Sequence, residues 1–315
     1  MKLTTILIAI GAALTSALLF AGLATQSAFA VGFALATPVP VVIASLGWGS
    51  SVGFLAALLA PALLFVLTGN APSTITLALA MTVPAAICSS LALRRFDGSD
   101  PAAATAASSQ WMPVSRVLFV LTVLAATACV LIGWLLGFDP ASIEPALLDA
   151  FVDPTVTLDP AEELQLKNLV SIIVDIVPLV QPAILTMTLV VCLHFGAAVA
   201  RRSGRLERPK DDLPVVTSLP QDALILFAFA LGGTFLSGAG GLVATVFAGA
   251  LGTAFALVGL ARFHRRTRGR PARGLALFVV YATILFLTFP IFVFVVIGLV
   301  DVWRHGERLR PTRPD

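Results

Sequence analysis

The chain has 315 residues, 58% of them hydrophobic and only 12% charged, with a mean hydropathy of +0.98 and a formal net charge of +3. A soluble domain carries about 25% charged residues, mostly on its solvated faces, so that class is excluded. Nucleic-acid binding is also excluded as the account of a pI of 9.1, because the basic residues stand in short runs between apolar segments, the pattern of membrane-protein loops.

From Leu3 to Leu93 there is no Asp, Glu, Lys, Arg or His. Such a stretch reads as several membrane-spanning helices, each needing about 20 apolar residues to cross a hydrocarbon core ~30 Å thick. Pro, Gly and polar punctuation divides it into helices near 4–24, 29–46, 49–69 and 73–93. The first segment also resembles a secretory signal peptide, with Lys2, an apolar run and Ala28-Phe29-Ala30 as a cleavage site. Its length and the apolar residues that follow favour an uncleaved span. Pro38 and Pro40 interrupt the second segment, either bending or breaking it. Gly49-Ser50-Ser51-Val52-Gly53 matches a G-x-S-x-G nucleophile pattern. It lacks the strand-to-helix elbow that the pattern requires, so its small residues are read as helix packing.

Residues 96–115 read as a flexible linker, and a fifth helix follows near 116–137. The stretch 138–168 holds seven acidic residues and one Lys. Within it Ile143, Leu147, Leu148 and Phe151 fall at helical spacing, predicting a short amphipathic helix. Asp159, Pro160 and Glu162 predict a helix start that runs on into a sixth span near 169–200. Leu219-Pro220-Gln221-Asp222 opens a hairpin of helices near 221–237 and 240–262. The last apolar run, 274–303, has Pro290 at its centre and arginines on both flanks. It is either one kinked span or a hairpin that turns back at Pro290, and the flanking charge favours the return. The positive-inside bias assigns Arg94-Arg95, the 201–210 run and the 262–273 run to the cytoplasm, the N-terminus with them, and 138–168 to the outside. The expected architecture is one all-α polytopic transmembrane bundle of eight to ten segments in a bacterial inner membrane. Its parts are a charge-free stretch at 4–95, the linker, two spans with an acidic loop at 116–200 and C-terminal helices at 220–303.

Asp175 is the one ionisable residue clearly inside a predicted span, where a carboxylate needs a cavity or a partner. With Gln181 nearby, Pro178 and Pro182 freeing carbonyls, and the Pro38/Pro40 break, it is a candidate small-molecule site. The plainer reading is that Asp175 reaches the outer interface. His194 lies 19 residues beyond Asp175, about 28 Å along a helix, and so belongs to no common site with it. Gly241, Thr245, Gly249 and Thr253, with Gly252 in an adjacent row, recur at the small-residue spacing that lets helices approach closely in lipid. Cys88, Cys129 and Cys192 are read as packing residues, Trp303 as an interface anchor, and Asp301 as the partner of Arg304 or another arginine. No Walker A loop, H-E-x-x-H or Cys/His metal spacing occurs, so no cofactor or metal is expected.

Residues Gly259 to His264, an Arg-rich turn, Tyr281, Pro290, Gly298 to Trp303 and the trailing arginines give the chain a resemblance to the YybS-like family. Pro38 and Pro40, the glycines at 47, 49 and 53, the Arg94-Arg95 helix end and Leu219-Pro220 extend the resemblance over most of residues 1–310. His194-Phe195 departs from it, at a position where a neutral polar residue is expected. That family consists of uncharacterised bacterial multi-pass membrane proteins, distantly similar to the substrate-binding subunits of energy-coupling-factor transporters. The family implies no established activity, and its distant similarity suggests transport; the expected reading is a non-enzymatic, transport-related subunit in the lipid bilayer, any ATP-driven role of which needs a separate ATPase partner. The alternative is an envelope scaffold acting through helix–helix contacts.

Overall fold

The computed structural model describes residues 2–25, 27–95, 111–151, 159–287 and 289–309. In hydrocarbon a backbone must satisfy its own N–H and C=O groups, and a helix does so within one segment. The described residues follow that rule. They form helices joined by turns, and seven helical segments are long and apolar enough to cross a membrane, or eight if a bent C-terminal pair counts as one span. The chain is a multi-pass helical membrane protein.

The charge-free part supplies four of these segments. Helix α1 (Leu3–Ala21) is followed by α2 (Ala28–Leu35) and α3 (Pro38–Trp48), which together make the second. The break between α2 and α3 follows from Pro38 and Pro40, which lack the N–H groups that would continue the ladder. The carbonyls it frees are all taken up. Those of Ala34 and Ala36 accept from Thr37 N–H and Val39 N–H, that of Leu35 from the Cys192 thiol at 3.2 Å, and that of Thr37 from the Ser16 hydroxyl at 2.9 Å. Helix α4 (Ser50–Thr68) starts at a corner on Gly49, whose φ of 104° suits a residue without a side chain. Gly53 then lies against Ser45 while Ser51 faces outward, the packing arrangement expected of this glycine- and serine-rich stretch. Helix α5 (Ala71–Thr76), a π-helical turn (Leu77–Thr82) and α6 (Val83–Ala92) form the fourth segment. The wide turn precedes Pro84, which has no N–H to donate backwards.

Helix α7 (Val114–Leu136) starts two residues before the predicted position. The expected linker lies mostly outside the described residues. Helix α8 (Pro140–Phe151) is the predicted amphipathic helix, with Ile143, Leu147 and Leu148 half-buried on its inner face. Helix α9 (Pro160–Arg202) begins where expected, Asp159 N–H donating to Glu162 Oε2 at 3.3 Å. It continues for 43 residues, about 64 Å, or twice the thickness of a hydrocarbon core.

A short α10 (Leu213–Val216) precedes α11 (Asp222–Gly233) and α12 (Ala239–Arg266). The predicted hairpin forms, with the Phe227 and Phe255 rings 5.2 Å apart across it. Its first arm stops at Gly233 rather than residue 237 and rises only about 18 Å, so α11 does not cross a bilayer alone. Helices α13 (Arg273–Leu287) and α14 (Pro290–Leu309) meet at a bend of 119°. Helix α14 then runs back along α12. Asp301 pairs with Arg262 and lies 3.8 Å from Arg265, so the return at Pro290 is the path taken.

Three sets of contacts fix relative direction. Leu35 of α2 and Val42 of α3 meet Cys192 and Gly196 of α9 in the same order; Thr245 of α12 shares a groove with Asp175 and Gly249 meets Leu179; Gly298 and Asp301 of α14 meet Gly259 and Arg262. Helices α3, α9, α12 and α14 are therefore parallel. This parity brings the three basic runs to one end of the bundle. Arg95 pairs with Glu207 at 3.1 Å, and Arg268 with Asp212. The described acidic residues just after α7, on α8 and at the start of α9 lie at the other end, as the loop charges require.

Candidate functional site

The four residues expected to line a binding site are not brought together. Pro38 is buried and Pro40 half-buried in the satisfied α2–α3 break, which leaves no carbonyl facing a cavity. Asp175 and Gln181 are exposed on α9. Asp175 stands 17 residues, about 25 Å, from Cys192, which marks the level of the break. It is also 26 residues, about 39 Å, from Arg201. Asp175 borders only a shallow groove with Ile172, Ile176, Leu179 and Thr245.

The small residues of α12 divide by role. At Gly249 an added Cβ would meet the Leu179 carbonyl of α9, so this is a true close approach. Gly241 is equally tight, but against Leu236 in its own hairpin. Thr245 and Thr253 turn their hydroxyls back to Gly241 O and Gly249 O, at 2.8 and 3.0 Å. Gly252 meets nothing nearer than a Phe227 ring atom at 3.9 Å. A second crossing, as tight as that at Gly249, was not among the predicted packing positions. Gly259 and Gly298 sit opposite one another, each against a backbone carbonyl of the other's helix, Phe294 and Phe255.

The main cavity, about 690 Å³, opens at the arginine-rich end, within the ~300–1,000 Å³ range of small-molecule pockets. Helix α7 contributes Val114, Val117, Leu118 and Leu121 at helical spacing, and α12 contributes Leu257. A single stripe of α9 supplies Val190, Leu193, His194, Ala197 and Arg201. This stripe passes from apolar to charged over 11 residues, about 16 Å.

A cap closes over the mouth. Arg208 anchors it with a side chain only 8% exposed, bonded to Asp211 at 2.9 Å and to the carbonyls of Ala92 and Met112 at 3.1 and 3.0 Å. It thereby ties the cap to the end of α6 and the start of α7. Asp212 takes a two-pronged bond from Arg268, one arm at 2.6 Å, which holds its carboxyl below the ordinary range. Arg205 lies over the Trp48 ring at 4.4 Å. Two basic residues lining the cavity, Arg201 and Lys210, make no ion pair among the described residues. The Nε of Arg201 is buried without a hydrogen-bond partner. No group of three or more potential metal ligands occurs among the described residues.

Sequence reasoning took the 201–210 run only as a marker of side. The signal it passed over was the acidic pair Asp211-Asp212 and the apolar Leu206, Leu213 and Leu219 inside a basic loop, a composition suited to a folded segment rather than a solvated one. Compared with protein-family models, curated proteins and solved structures, the chain matches none of them.

Proposed function

We propose that this membrane protein is a non-enzymatic, transport-related subunit that captures a small molecule in the cavity beneath the 203–221 cap. The observation that carries the reading is the cavity itself: about 690 Å³, an apolar floor from three separate helices, and charge confined to its mouth. A site with mostly apolar walls and a few fixed polar groups is the usual form of a small-molecule pocket. The basic loops around the mouth favour the cytoplasmic side of an inner membrane. The resemblance to YybS-like proteins points the same way. The chain carries no nucleotide-binding loop, so an ATP-driven role would need a separate ATPase bound through this end.

The scaffold alternative relied on the small-residue rows of α12. The tight positions of those rows are used inside the bundle, Gly249 by α9 and Gly241 by its own hairpin, which supports capture over scaffolding. The test is purification in a neutral detergent, a thermal-stability screen against metabolites, and the variant His194→Trp. His194 is exposed at the cavity wall, so the larger ring occupies the cavity without entering the core. A ligand that binds only the folded state raises its stability. A ligand that stabilises the native protein and not His194→Trp supports the reading. No stabilising ligand, and no change of cellular function in His194→Trp, overturns it.

A further inference from the structure

The charges at the cavity mouth do not cancel. Arg208 is matched by Asp211, and Asp212 by Arg268. Arg201 remains without a partner among the described residues, and Lys210, whose charge also acts on Asp212, adds a second positive group at the mouth. A buried N–H without an acceptor is costly and calls for an explanation. The unpartnered Nε of Arg201 lies where the α9 stripe changes from Val190, Leu193 and Ala197 to charge. One kind of ligand meets both conditions at once: an apolar chain against that floor and an oxyanion at Arg201.

Resting on the capture reading above, we infer that the cavity binds an anionic amphiphile, a single apolar chain ending in a carboxylate or phosphate. The headgroup accepts hydrogen bonds from the Arg201 guanidinium, whose planar fork fits either oxyanion, with Lys210 adding charge. The chain runs inward past Leu193 towards Leu121 and Leu257. Helix α9 thus serves as a ruler, polar head at Arg201 and apolar tail at Val190, about 16 Å apart.

The experiment uses the full chain in a neutral maltoside detergent. Saturable thermal stabilisation is measured with dodecanoate, dodecyl phosphate and uncharged dodecanol. Dodecanoate and dodecyl phosphate separate a carboxylate from a phosphate source, and binding of either supports the class. Arg201→Gln should weaken the better anion about tenfold or more, the scale of a lost charge-assisted hydrogen bond. Lys210→Gln should weaken it less. Arg202→Gln removes the same charge from an exposed neighbour that does not line the cavity, and should leave affinity unchanged. If Arg201→Gln fails to fold, Lys210→Gln on an exposed cap residue carries the test alone. Equal stabilisation by dodecanol, or equal losses in Arg201→Gln and Arg202→Gln, overturns the anionic class while leaving the cavity as a capture site. Absence of binding by all three amphiphiles overturns the inference, whereas the metabolite screen and His194→Trp decide the capture reading separately.

Discussion

Gly259→Ala should loosen the crossing of α12 and α14, and its size follows from the geometry. The added Cβ would lie 2.8 Å from the carbonyl carbon of Phe294 and nearer still to the oxygen. Carbon atoms rest about 3.5–4.0 Å apart, so the two helices must part by roughly 1 Å. The obstacle is backbone, and no rotamer change relieves it. Overpacking of this kind costs about 1–3 kcal/mol. Replacing Gly by Ala also favours the helix by about 0.5–1 kcal/mol, which would blur a comparison with the parent protein. Gly252→Ala supplies the correction, since it carries the same gain on the same helix while its Cβ meets only a Phe227 ring atom at 3.9 Å. The difference between the two variants isolates the clash. In thermal unfolding of detergent-solubilised protein it should appear as a melting point lower by roughly 2 °C per kcal/mol for a chain this long. Gly298→Ala should behave like Gly259→Ala. The double variant should fall short of the sum, because helices already parted for one methyl admit the other. Equal melting points for Gly259→Ala and Gly252→Ala would refute the close crossing.

Reporters inserted in the 203–212 segment and fused after Asp315 should give the same side of the membrane; opposite sides would mean that residues 274–303 cross once. Arg208→Ala strips Asp211 of its partner in a site where both side chains are about nine-tenths buried. Breaking such a pair costs about 3–5 kcal/mol, so trypsin should cut the cap at Lys210 about a hundredfold faster or more, as read by gel over time. Asp212 is held below its ordinary pKa by the Arg268 hydrogen bond. Its contribution to cap closure is therefore full above the ordinary carboxylate range and is lost as pH falls through its lowered value. Cap protection, read with a neutral protease near pH 7 and an acid-active one at low pH, should hold at neutral pH and drop only in acid, and Asp212→Asn should weaken it already at neutral pH and reduce that dependence.

The spans and their relative directions were legible because lipid imposes simple rules. A run without charge from Leu3 to Leu93 has only one suitable solvent, and arginine loops sort to one side. The helix start at Asp159 and the turn at Pro290 were legible for the same local reason, since capping and proline chemistry act within a few residues. The cavity was not legible. Its floor joins Leu121, Val190 and Leu257, which no periodicity relates, and its mouth depends on Arg208 reaching Ala92 and Met112 across the fold. For Asp175 the sequence offered two readings, a binding site and the outer interface; on the 43-residue α9 it stands exposed beside a shallow groove, apart from Pro38 and Pro40.

The excess height of α9 has an electrostatic consequence. Glu163 stands 38 residues from Arg201, about 57 Å, well over the ~30 Å of a hydrocarbon layer. The Debye length at physiological ionic strength is about 8 Å. Carboxylates at the tip of the shaft that stand more than such a length from the lipid headgroups are shielded from their surface potential. The acidic residues at the start of α9 can then hold their charge without being repelled by the membrane beneath them.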